Sequence, residues 1–366
     1  MRQEEGMQQS LMTYNPRRRT WTDLTPSLRT PKRLKIRGAA GPWVITHDES
    51  IKRPKPMHGT LINTTEGRAR PFVAPFKVIV QPVTIGDAFV FSTTGRGAPH
   101  TDGLQIFYPA TGRWRAVEGT LPDWGTDHRT SALASTRHVL LKFGGEWKGK
   151  PHNDGLTLDT RSARWQATPS RGAPSPRAHA TVSVRGTNVA LWGGTAKPSR
   201  RAWELGGAIY DTATRRWSAL PNEPALGPFP AQTSTRATLT ETHLVLIRGA
   251  VVRVLDLRSK RWQQGTIPRQ PFDSAVALDN GLVVWSAAKP TLFDPSSMRM
   301  CHLPGDSAVD EVLVWTGSEV LRWGGVALTS GGCEDFDPRD GGCDPWTKRT
   351  PRLTGEHLRI KRRRGT

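Results

Sequence analysis

Two polar loops of the chain combine tryptophan with cationic side chains, and their chemistry suits binding. The first loop is Glu146–Asn153, the second is Thr195–Trp203, and each follows a pair of glycines. An indole beside ammonium or guanidinium groups offers a flat apolar surface and positive charge, as a sugar, an acidic peptide or an anionic polymer requires. Solvated hairpin loops without a ligand are the alternative interpretation. The candidate ligand-binding residues are Trp147, Lys148, Lys150, Lys197, Arg200, Arg201 and Trp203.

Residues suited to catalysis or metal binding form no local motif in this sequence. The ten histidines include no His-x-His or His-x-x-x-His pair. The chain also lacks a Gly-x-Ser-x-Gly elbow, a phosphate-binding Gly-Lys-Ser/Thr loop and a Cys-x-x-Cys pair. His179 follows Pro176-Arg177, and we expect it to begin a strand and bond to a neighbouring unit. We predict no catalytic residue, no metal site and no cofactor, although a site assembled from distant residues would leave no local motif.

The three cysteines do not provide a disulfide framework. Cys333 and Cys343 enclose an acidic segment, and a local bridge in an oxidising compartment or two free thiols both remain open. The carboxylates of this segment do not follow the spacing of a calcium loop, because Arg339 stands where a carboxylate is required. A turn with solvated carboxylates is therefore the favoured interpretation.

The chain is strongly basic, with a formal net charge of +20. Its 39 arginines outnumber its 13 lysines, and they are spread through most of the sequence. A basic protein attracts nucleic acid, acidic polysaccharide or other anionic surfaces. Because a binding footprint should be local, the dispersal favours solvated arginines over a dedicated site, and nucleic acid is a possible but not favoured partner. The densest clusters are Arg17–Arg19, Lys32–Arg37, Lys52–Lys55 and Lys361–Arg364.

Other whole-chain properties limit the class of protein. A chain of 366 residues can bury a large core, and no apolar run is long enough for a membrane span. Met1–Ser10 does not resemble a secretory signal, so the compartment stays unassigned. The segment from Met12 to Trp21 resembles half of a repeat unit. Either residues 354–360 complete that unit from the other end, or the sequence is part of a longer and exported protein.

The elements that must position the two loops are clearest between Arg177 and Trp217. Thr181–Val184 and Asn188–Trp192 are apolar β-prone runs separated by a turn, and Gly207–Tyr210 predicts a third strand. A turn beginning at Asp211 leads to a fourth strand that contains Trp217. One four-stranded unit cannot bury both of its faces, so it requires neighbours of the same kind.

Similar units recur along the chain. A large apolar residue ends each unit at positions 114, 165, 217, 262, 300 and 346, at intervals of 51, 52, 45, 38 and 46 residues. This period is typical of the blades of a β-propeller. We expect each closing tryptophan to pack as a wedge between neighbouring sheets, and each double glycine to allow positive φ at a strand end.

The motifs of these units resemble the Kelch-repeat, galactose-oxidase-like family of β-propellers, in its bacterial form. The likeness covers roughly residues 83–346. The double glycines that carry it are Gly144-Gly145, Gly193-Gly194 and Gly324-Gly325. The turns are Tyr108-Pro109, Tyr210-Asp211, Phe293-Asp294-Pro295 and Phe336-Asp337-Pro338. The closing tryptophans are Trp114, Trp165, Trp217, Trp262 and Trp346.

The resemblance implies an all-β propeller of four-stranded antiparallel blades, about seven in number within a range of six to eight. The units at 236–262 and 272–300 lack a double glycine, so we expect thinner or irregular blades there. Some relatives hold copper with tyrosines, histidines and a cysteine. This chain has only Tyr14, Tyr108 and Tyr210, all at turn positions, and the copper site is therefore rejected. The domains expected are an N-terminal arm over 1–30, a propeller over 31–349 and a basic tail over 350–366 that could add a closing strand.

Three functions remain open from the sequence. The leading hypothesis is a monomeric, non-catalytic propeller that binds a protein or an anionic macromolecule through loops on one rim. The second is a carbohydrate-active or oxidising enzyme with a site at the mouth of the central channel. The third is a polyanion-binding protein that uses the basic ends of the chain.

Overall fold

In the computed structural model, most of the described residues lie in β-strands. The residues described are 12–15, 20–23, 34–48, 58–63, 66, 68–74, 82–93, 103–117, 130–147, 149–196, 204–224, 235–267, 275–285, 291–302, 308–315, 320–330, 347–351 and 356–358.

The strands belong to two compact units of the chain, with β1–β20 in the first and β21–β32 in the second. The first ten strands are β1 (Met12–Asn15), β2 (Thr20–Asp23), β3 (Leu34–Ala40), β4 (Trp43–Asp48), β5 (His58–Asn63), β6 (Arg68–Val73), β7 (Val83–Ile85), β8 (Ala88–Thr93), β9 (Gly103–Tyr108) and β10 (Arg113–Ala116). The next ten are β11 (Ala132–Ser135), β12 (Val139–Phe143), β13 (Glu146–Trp147), β14 (Lys150–Pro151), β15 (Gly155–Asp159), β16 (Arg164–Ala167), β17 (Thr181–Arg185), β18 (Asn188–Trp192), β19 (Gly207–Asp211) and β20 (Arg216–Leu220). The second unit contains β21 (Arg236–Leu239), β22 (His243–Arg248), β23 (Val251–Asp256), β24 (Trp262–Thr266), β25 (Ala275–Ala277), β26 (Val283–Trp285), β27 (Thr291–Asp294), β28 (Arg299–His302), β29 (Ala308–Trp315), β30 (Val320–Ser330), β31 (Thr347–Pro351) and β32 (Glu356–Leu358).

Six antiparallel sheets each contain four strands in sequential order, and we call these sheets blades 1 to 6. They are β3–β6, β7–β10, β11-β12-β15-β16, β17–β20, β21–β24 and β25–β28. The predicted all-β fold of four-stranded antiparallel blades is confirmed, and the sheets are consistent with a propeller of about six blades. None of the described sheets closes on itself.

Side chains on both faces of a blade are buried against its two neighbours. In β8, Phe89 and Phe91 pack in the core shared with blade 1, whereas Val90 packs in the core shared with blade 3. In β12, Leu140 faces blade 2 and Leu141 faces blade 4. Because side chains alternate along a strand, a strand buried on both faces must be apolar throughout. This explains the continuous apolar runs that separate the turns.

Contacts between the first strands of consecutive blades fix the order of the blades within each unit. In the first unit β3 contacts β7, β7 contacts β11, and β11 contacts β17. In the second unit β21 contacts β25, and β25 contacts β29. Successive contacts between first strands are what the inner edge of a propeller requires.

Of the two blades expected to be thinner or irregular, blade 5 departs from the prediction and blade 6 agrees with it. Blade 5 is regular, because a two-residue turn at Gly249-Ala250 joins β22 to β23 and makes a double glycine unnecessary. Blade 6 also has four strands, but β25 and β26 contain only three residues each. Blade 1, which precedes the part of the chain that resembles the family, also has all four strands.

The last sheet departs from the common pattern. Strands β31 and β32 both pair with β30, at opposite ends of that eleven-residue strand. We expected Gly324-Gly325 at the end of a strand, but the pair lies within β30. At the start of the chain, β1 and β2 form a two-stranded hairpin in which Tyr14 pairs with Trp21.

Candidate binding face

The connections of blades 2 to 4 divide between two opposite ends of the sheets. In a four-stranded meander the 2–3 connection leaves one end, and the 1–2 and 3–4 turns leave the other. We call the first end the loop face, formed by the β12–β15 and β18–β19 connections at residues 144–154 and 193–206. The second end is the turn face, formed by residues 86–87, 109–112, 136–138, 160–163, 186–187 and 212–215.

Both double glycines of the loop face have backbone conformations that other residues rarely adopt. Gly144 and Gly145 have φ of 61° and 105°, and Gly193 and Gly194 have φ of 66° and 93°. A Cβ atom on Gly144 would collide with the carbonyl oxygen of Arg177, and one on Gly194 would lie 2.6 Å from that of Ala178. The glycines therefore allow the strand that enters blade 4 to run directly against the base of each loop.

Backbone hydrogen bonds join the two loop bases through this entering strand. The N–H of Gly145 donates to the carbonyl of Arg177 at 2.9 Å, and the N–H of Arg177 donates to that of His152 at 2.9 Å. Ala178 and Thr195 exchange two hydrogen bonds of 3.0 and 2.8 Å. The segment 177–178 is thus bonded to both loops.

The side chain of Arg177 adds a buried clasp at the same place. Its Nη1 donates to the carbonyls of Gly193 and Gly206, both at 2.8 Å, which lie on the two sides of the second loop. Its Nε and Nη2 donate to the backbone carbonyl and the hydroxyl of Ser175 at 2.9 and 2.8 Å. The residue is only 3% exposed. One guanidinium therefore fixes the width of the loop base and joins it to the preceding connection.

Burial of Arg177 lowers the pKa of its guanidinium, and the nearby charge of Glu204 opposes that shift. The Nη2 atom lies 3.9 Å from Oε2 of Glu204. An arginine in a protein remains charged at physiological pH even after such a shift. The clasp therefore consists of charge-assisted hydrogen bonds to neutral carbonyls, with one carboxylate nearby.

The first predicted loop forms a short hairpin above this base. Trp147 in β13 pairs with Lys150 in β14, and Lys150 is exposed. The N–H of Glu146 donates to the hydroxyl of Thr130 at 2.9 Å, which joins the hairpin to the start of blade 3. His152 follows the hairpin, and its Nδ1 lies 4.0 Å from Oδ1 of Asp154.

Only part of the predicted binding set falls within the described structure. Trp147 and Lys150 are adjacent in one hairpin, as described above. The bases of the two loops lie side by side through the segment 177–178. The predicted residues outside the described part of the chain are Lys148, Lys197, Arg200, Arg201 and Trp203.

His179 and Arg177 show what the sequence did and did not indicate. The backbone N–H of His179 donates to the carbonyl of Thr130 in the neighbouring blade at 2.8 Å, and its side chain is exposed. Arg177 stands two residues before this histidine and four residues before the first residue of β17. Its position after Pro176 and shortly before a strand was the only signal for its structural role.

The closing tryptophans differ in their degree of burial. Trp217 is 7% exposed, and its ring lies 5.1 Å from that of Phe143 in blade 3 and 4.7 Å from that of Tyr210. Trp114 is half-buried, and it packs 6.0 Å from Phe72 in blade 1. Trp165 and Trp262 are also half-buried. Trp346 lies outside the described residues.

The 3–4 turns of the blades share one hydrogen-bonding pattern. In blade 4, Oδ1 of Asp211 accepts the N–H of Ala213 at 2.9 Å, and Oδ2 accepts the hydroxyl of Thr214 at 2.7 Å. Arg215 follows with φ of 58°, and its N–H donates to the carbonyl of Asp211 at 2.8 Å. A residue with positive φ stands in the same place in blades 2, 3, 5 and 6: Gly112, Ala163, Lys260 and Met298. Short polar side chains that bond their own backbone favour such turns.

The aspartates of these turns have pKa values below the ordinary value of 3.8. The guanidinium of Arg161 lowers the pKa of Asp159 by a direct hydrogen bond, with burial opposing it. Burial acts to raise the pKa of Asp211. The hydrogen bonds from Thr214 and Ala213 lower this pKa and together outweigh burial, so the net shift is downward. A carboxylate that accepts several hydrogen bonds is stabilised in its charged form.

Arginine side chains connect neighbouring blades at the turn face. The Nη2 of Arg70 in blade 1 donates to the carbonyl of Pro109 in blade 2 at 2.7 Å. Arg115 in blade 2 donates to the carbonyls of Arg161 and Ser162 in blade 3, both at 2.7 Å. Some of the dispersed arginines therefore join adjacent sheets, a role that composition alone did not indicate.

The described residues provide no evidence for a metal centre or a membrane span. They contain no group of three or more histidine, cysteine, aspartate or glutamate side chains that could hold a metal ion. Cys301 is a free and exposed thiol, and Cys333 and Cys343 lie outside the described part of the chain. In the portion of the chain that the structure covers, no helix is long and apolar enough to cross a membrane.

Comparisons with known proteins do not place this chain in a family. No protein-family model matches it. No curated protein matches it either.

Proposed function

We propose that this chain is a non-catalytic propeller scaffold that binds a protein or another macromolecule through the loop face. The observation that carries the proposal is the tie between the two loop bases through the backbone of residues 177–178, with the side chain of Arg177 bonded to the base of the second loop. Loops held on a rigid scaffold are where recognition is usually located. Two loops fixed at a common base can contact one partner without a large loss of conformational entropy.

The chemistry of the loops supports a macromolecular partner. Trp147 and the exposed Lys150 lie opposite each other in the hairpin β13–β14, and the second loop carries the same combination of residue types in sequence. Indole and cationic groups are common among the residues that dominate the energy of interfaces. Their separation over two blades suits an extended partner better than a small molecule enclosed in a pocket.

A photo-crosslinking experiment tests this proposal. A photoreactive residue at position 150 should crosslink the chain to its partner and yield one discrete product. Excess wild-type protein without the photoreactive residue should compete for the partner and suppress this product. A Trp147→Ser/Trp203→Ser variant should fail to suppress it, because the indoles are removed while the base at Arg177 is intact. The same photoreactive residue at the exposed Thr187 of the turn face is the matched control and should not give that product.

Two results would contradict the proposal. One is the lack of any discrete product from position 150. The other is equal suppression of the product by the wild-type protein and the double variant, since binding would then be independent of the loops.

A further inference from the structure

The turn face concentrates arginines that are far apart in the sequence. Arg113, Arg164 and Arg216 each stand directly before a closing tryptophan and after a residue with positive φ. They are 51 and 52 residues apart along the chain, yet each occupies the same end of a consecutive blade. All three are exposed. The repeat fold therefore brings arginines that are dispersed along the sequence to one end of the blades.

Further arginines extend this feature, which we call the arginine arc. Arg137 lies in the 1–2 turn of blade 3. This turn is next to the 1–2 turn of blade 2, since a Cβ atom added to Gly86 there would collide with the carbonyl oxygen of Arg137. Arg161 and Arg215 lie within the 3–4 turns of blades 3 and 4. All of these residues are exposed. The arginine arc consists of Arg113, Arg137, Arg161, Arg164, Arg215 and Arg216.

Direct contacts between blades make the arc continuous. The hydroxyl of Tyr108 in blade 2 donates to the carbonyl of Thr160 in blade 3 at 2.5 Å. Nη2 of Arg215 in blade 4 donates to the carbonyl of Ala167 in blade 3 at 3.0 Å. Ala167 is the last residue of β16, so this second bond joins the turn of blade 4 to the body of blade 3 and not to its turn. Each of these turns is therefore bonded to a neighbouring blade, and the arc is not a set of independent loops.

The carboxylates at these turns neutralise the arc only in part. Asp159 accepts hydrogen bonds from the backbone and the guanidinium of Arg161, so this pair is internally satisfied. Asp211 is held by the N–H of Ala213 and the hydroxyl of Thr214. Asp87 lies in the 1–2 turn of blade 2 and is exposed. The six arginines of the arc therefore stand against three aspartates, Asp87, Asp159 and Asp211, and the turn face carries a net positive charge.

We propose that the arginine arc binds the phosphate backbone of a duplex nucleic acid without reading its bases. A duplex is stiff and carries one negative charge per roughly 1.7 Å of its axis, so several fixed guanidiniums can contact phosphates together. Arginine suits phosphate because its planar fork donates two parallel hydrogen bonds. Such contacts give affinity and position but no sequence preference.

The aromatic residues of the turns argue against a single strand as the ligand. Single-strand binding relies on exposed aromatic rings on which bases stack. Trp217 is buried between blades, and Trp114 and Trp165 are half-buried against apolar cores. Because these rings serve packing, the arc offers charge without a stacking platform, which favours a duplex. This surface lies at the opposite end of the blades from the loop face, and its binding does not depend on the proposed partner.

Fluorescence anisotropy with a labelled duplex of about 20 base pairs tests the proposal through its salt dependence. The variant Arg113→Gln/Arg137→Gln/Arg216→Gln should weaken binding and lower the slope of log K against log salt by about 0.9 for each phosphate contact removed. An Arg236→Gln variant, which changes an exposed arginine at the start of β21 and outside the arc, should leave the slope unchanged. Thermal unfolding of both variants should match the wild type, since all four substituted side chains are exposed.

Three outcomes would overturn the proposal. The first is an unchanged slope in the triple variant together with loss of binding after Lys361, Arg362, Arg363 and Arg364 are changed to glutamine, which would place binding in the tail. The second is equal affinity for a single-stranded oligonucleotide, and the third is binding of heparin without binding of the duplex. Weaker duplex binding with a reduced slope, in the triple variant but not in the control, would support it.

Discussion

The two ends of blades 2 to 4 are built from the same strands, but they hold neighbouring blades together by different means. At the loop face, one buried arginine and four glycines with positive φ bring a connecting strand into the base of two loops. At the turn face, short turns that end in a residue with positive φ repeat from blade to blade, and exposed arginines bond to an adjacent blade. The loop face therefore depends on a few irreplaceable residues, and the turn face on many small and similar contacts.

The difference suggests how one repeat accommodates two kinds of surface. Regular turns leave little freedom of sequence, because each must end in a positive φ and a closing residue. The 2–3 connections vary from two residues in blade 5 to the segment 193–206 in blade 4. Variation is thus concentrated at the end where a specific partner would be recognised, while repetition generates uniform charge at the other end.

The wedge at Trp217 should give the largest effect of any single residue. Trp217→Ala removes a buried indole between Phe143 and Tyr210 and should reduce the free energy of unfolding by about 3–5 kcal/mol. Trp262→Ala is the matched comparison and should have a smaller effect, because that side chain is half-buried. Urea unfolding of both variants measures the difference. Equal losses would mean that burial between blades does not set the contribution of the closing residue.

Arg177→Met tests the clasp of the loop face. It removes the donors to Gly193, Gly206 and Ser175 and leaves buried carbonyls without them, so the free energy of unfolding should fall by about 2–4 kcal/mol. Arg171→Met, an exposed arginine in the same connection, should change it by less than about 0.5 kcal/mol. Urea unfolding again provides the measurement. A neutral Arg177→Met would show that the buried hydrogen bonds of the clasp contribute nothing net.

Alanine substitution should reduce the free energy of unfolding more at a glycine of the long 2–3 connection of blade 4 than at one of the two-residue connection of blade 5, as measured by urea unfolding. Gly194→Ala should lower the free energy of unfolding by about 1–3 kcal/mol, since it has φ of 93° and its Cβ would meet the backbone of Ala178. Gly249→Ala, with φ of 59° and no atom within 4 Å of the added Cβ, should lose only about 1 kcal/mol. A larger loss at Gly249 would contradict the close approach of the entering strand at Gly194.

The smallest effect is expected at the turn aspartates, and it should depend on pH. Asp211→Ala should cost about 0.5–1 kcal/mol at neutral pH, since its partly exposed hydrogen bonds compete with water. The pKa of Asp211 is lower in the folded protein than its ordinary value of 3.8. Its stabilisation is therefore present above about pH 4 and is lost as the pH falls through the folded pKa. Unfolding curves of both proteins across this range should converge at low pH, and a constant difference would contradict the assignment.

Much of the fold followed from local signals in the sequence. The predicted strand Asn188–Trp192 has the same bounds as β18, and the predicted third strand of that blade is one residue shorter than Gly207–Asp211. Such runs are predictable because turn residues with defined chemistry flank apolar β-branched segments. The regular blade 5 was not predicted, because the absence of a double glycine suggested a defect where a shorter turn was used instead.

Residues that act across blades were the hardest to predict. A buried arginine such as Arg177 has the same local sequence appearance as a solvated one, since two of its four acceptors, the carbonyls of Gly193 and Gly206, lie on a different connection of the chain. The arginine arc was missed for a related reason, because distance along the chain does not measure distance in a repeat fold. Of the seven predicted binding residues, Trp147 and Lys150 could be placed together in β13–β14.

Amide hydrogen exchange in the Arg177→Met variant tests most directly whether one residue holds both loop bases. Peptides that span 144–154 and 193–206 should exchange faster together, by at least about tenfold, because the backbone of residues 177–178 bonds to both loops and loses its side-chain anchor to Gly193 and Gly206. Peptides that contain the 3–4 turns at 159–165 and 211–217 should keep the exchange rates of the wild type. Faster exchange in only one loop, or an equal increase at the turns, would contradict a common base for the loop face.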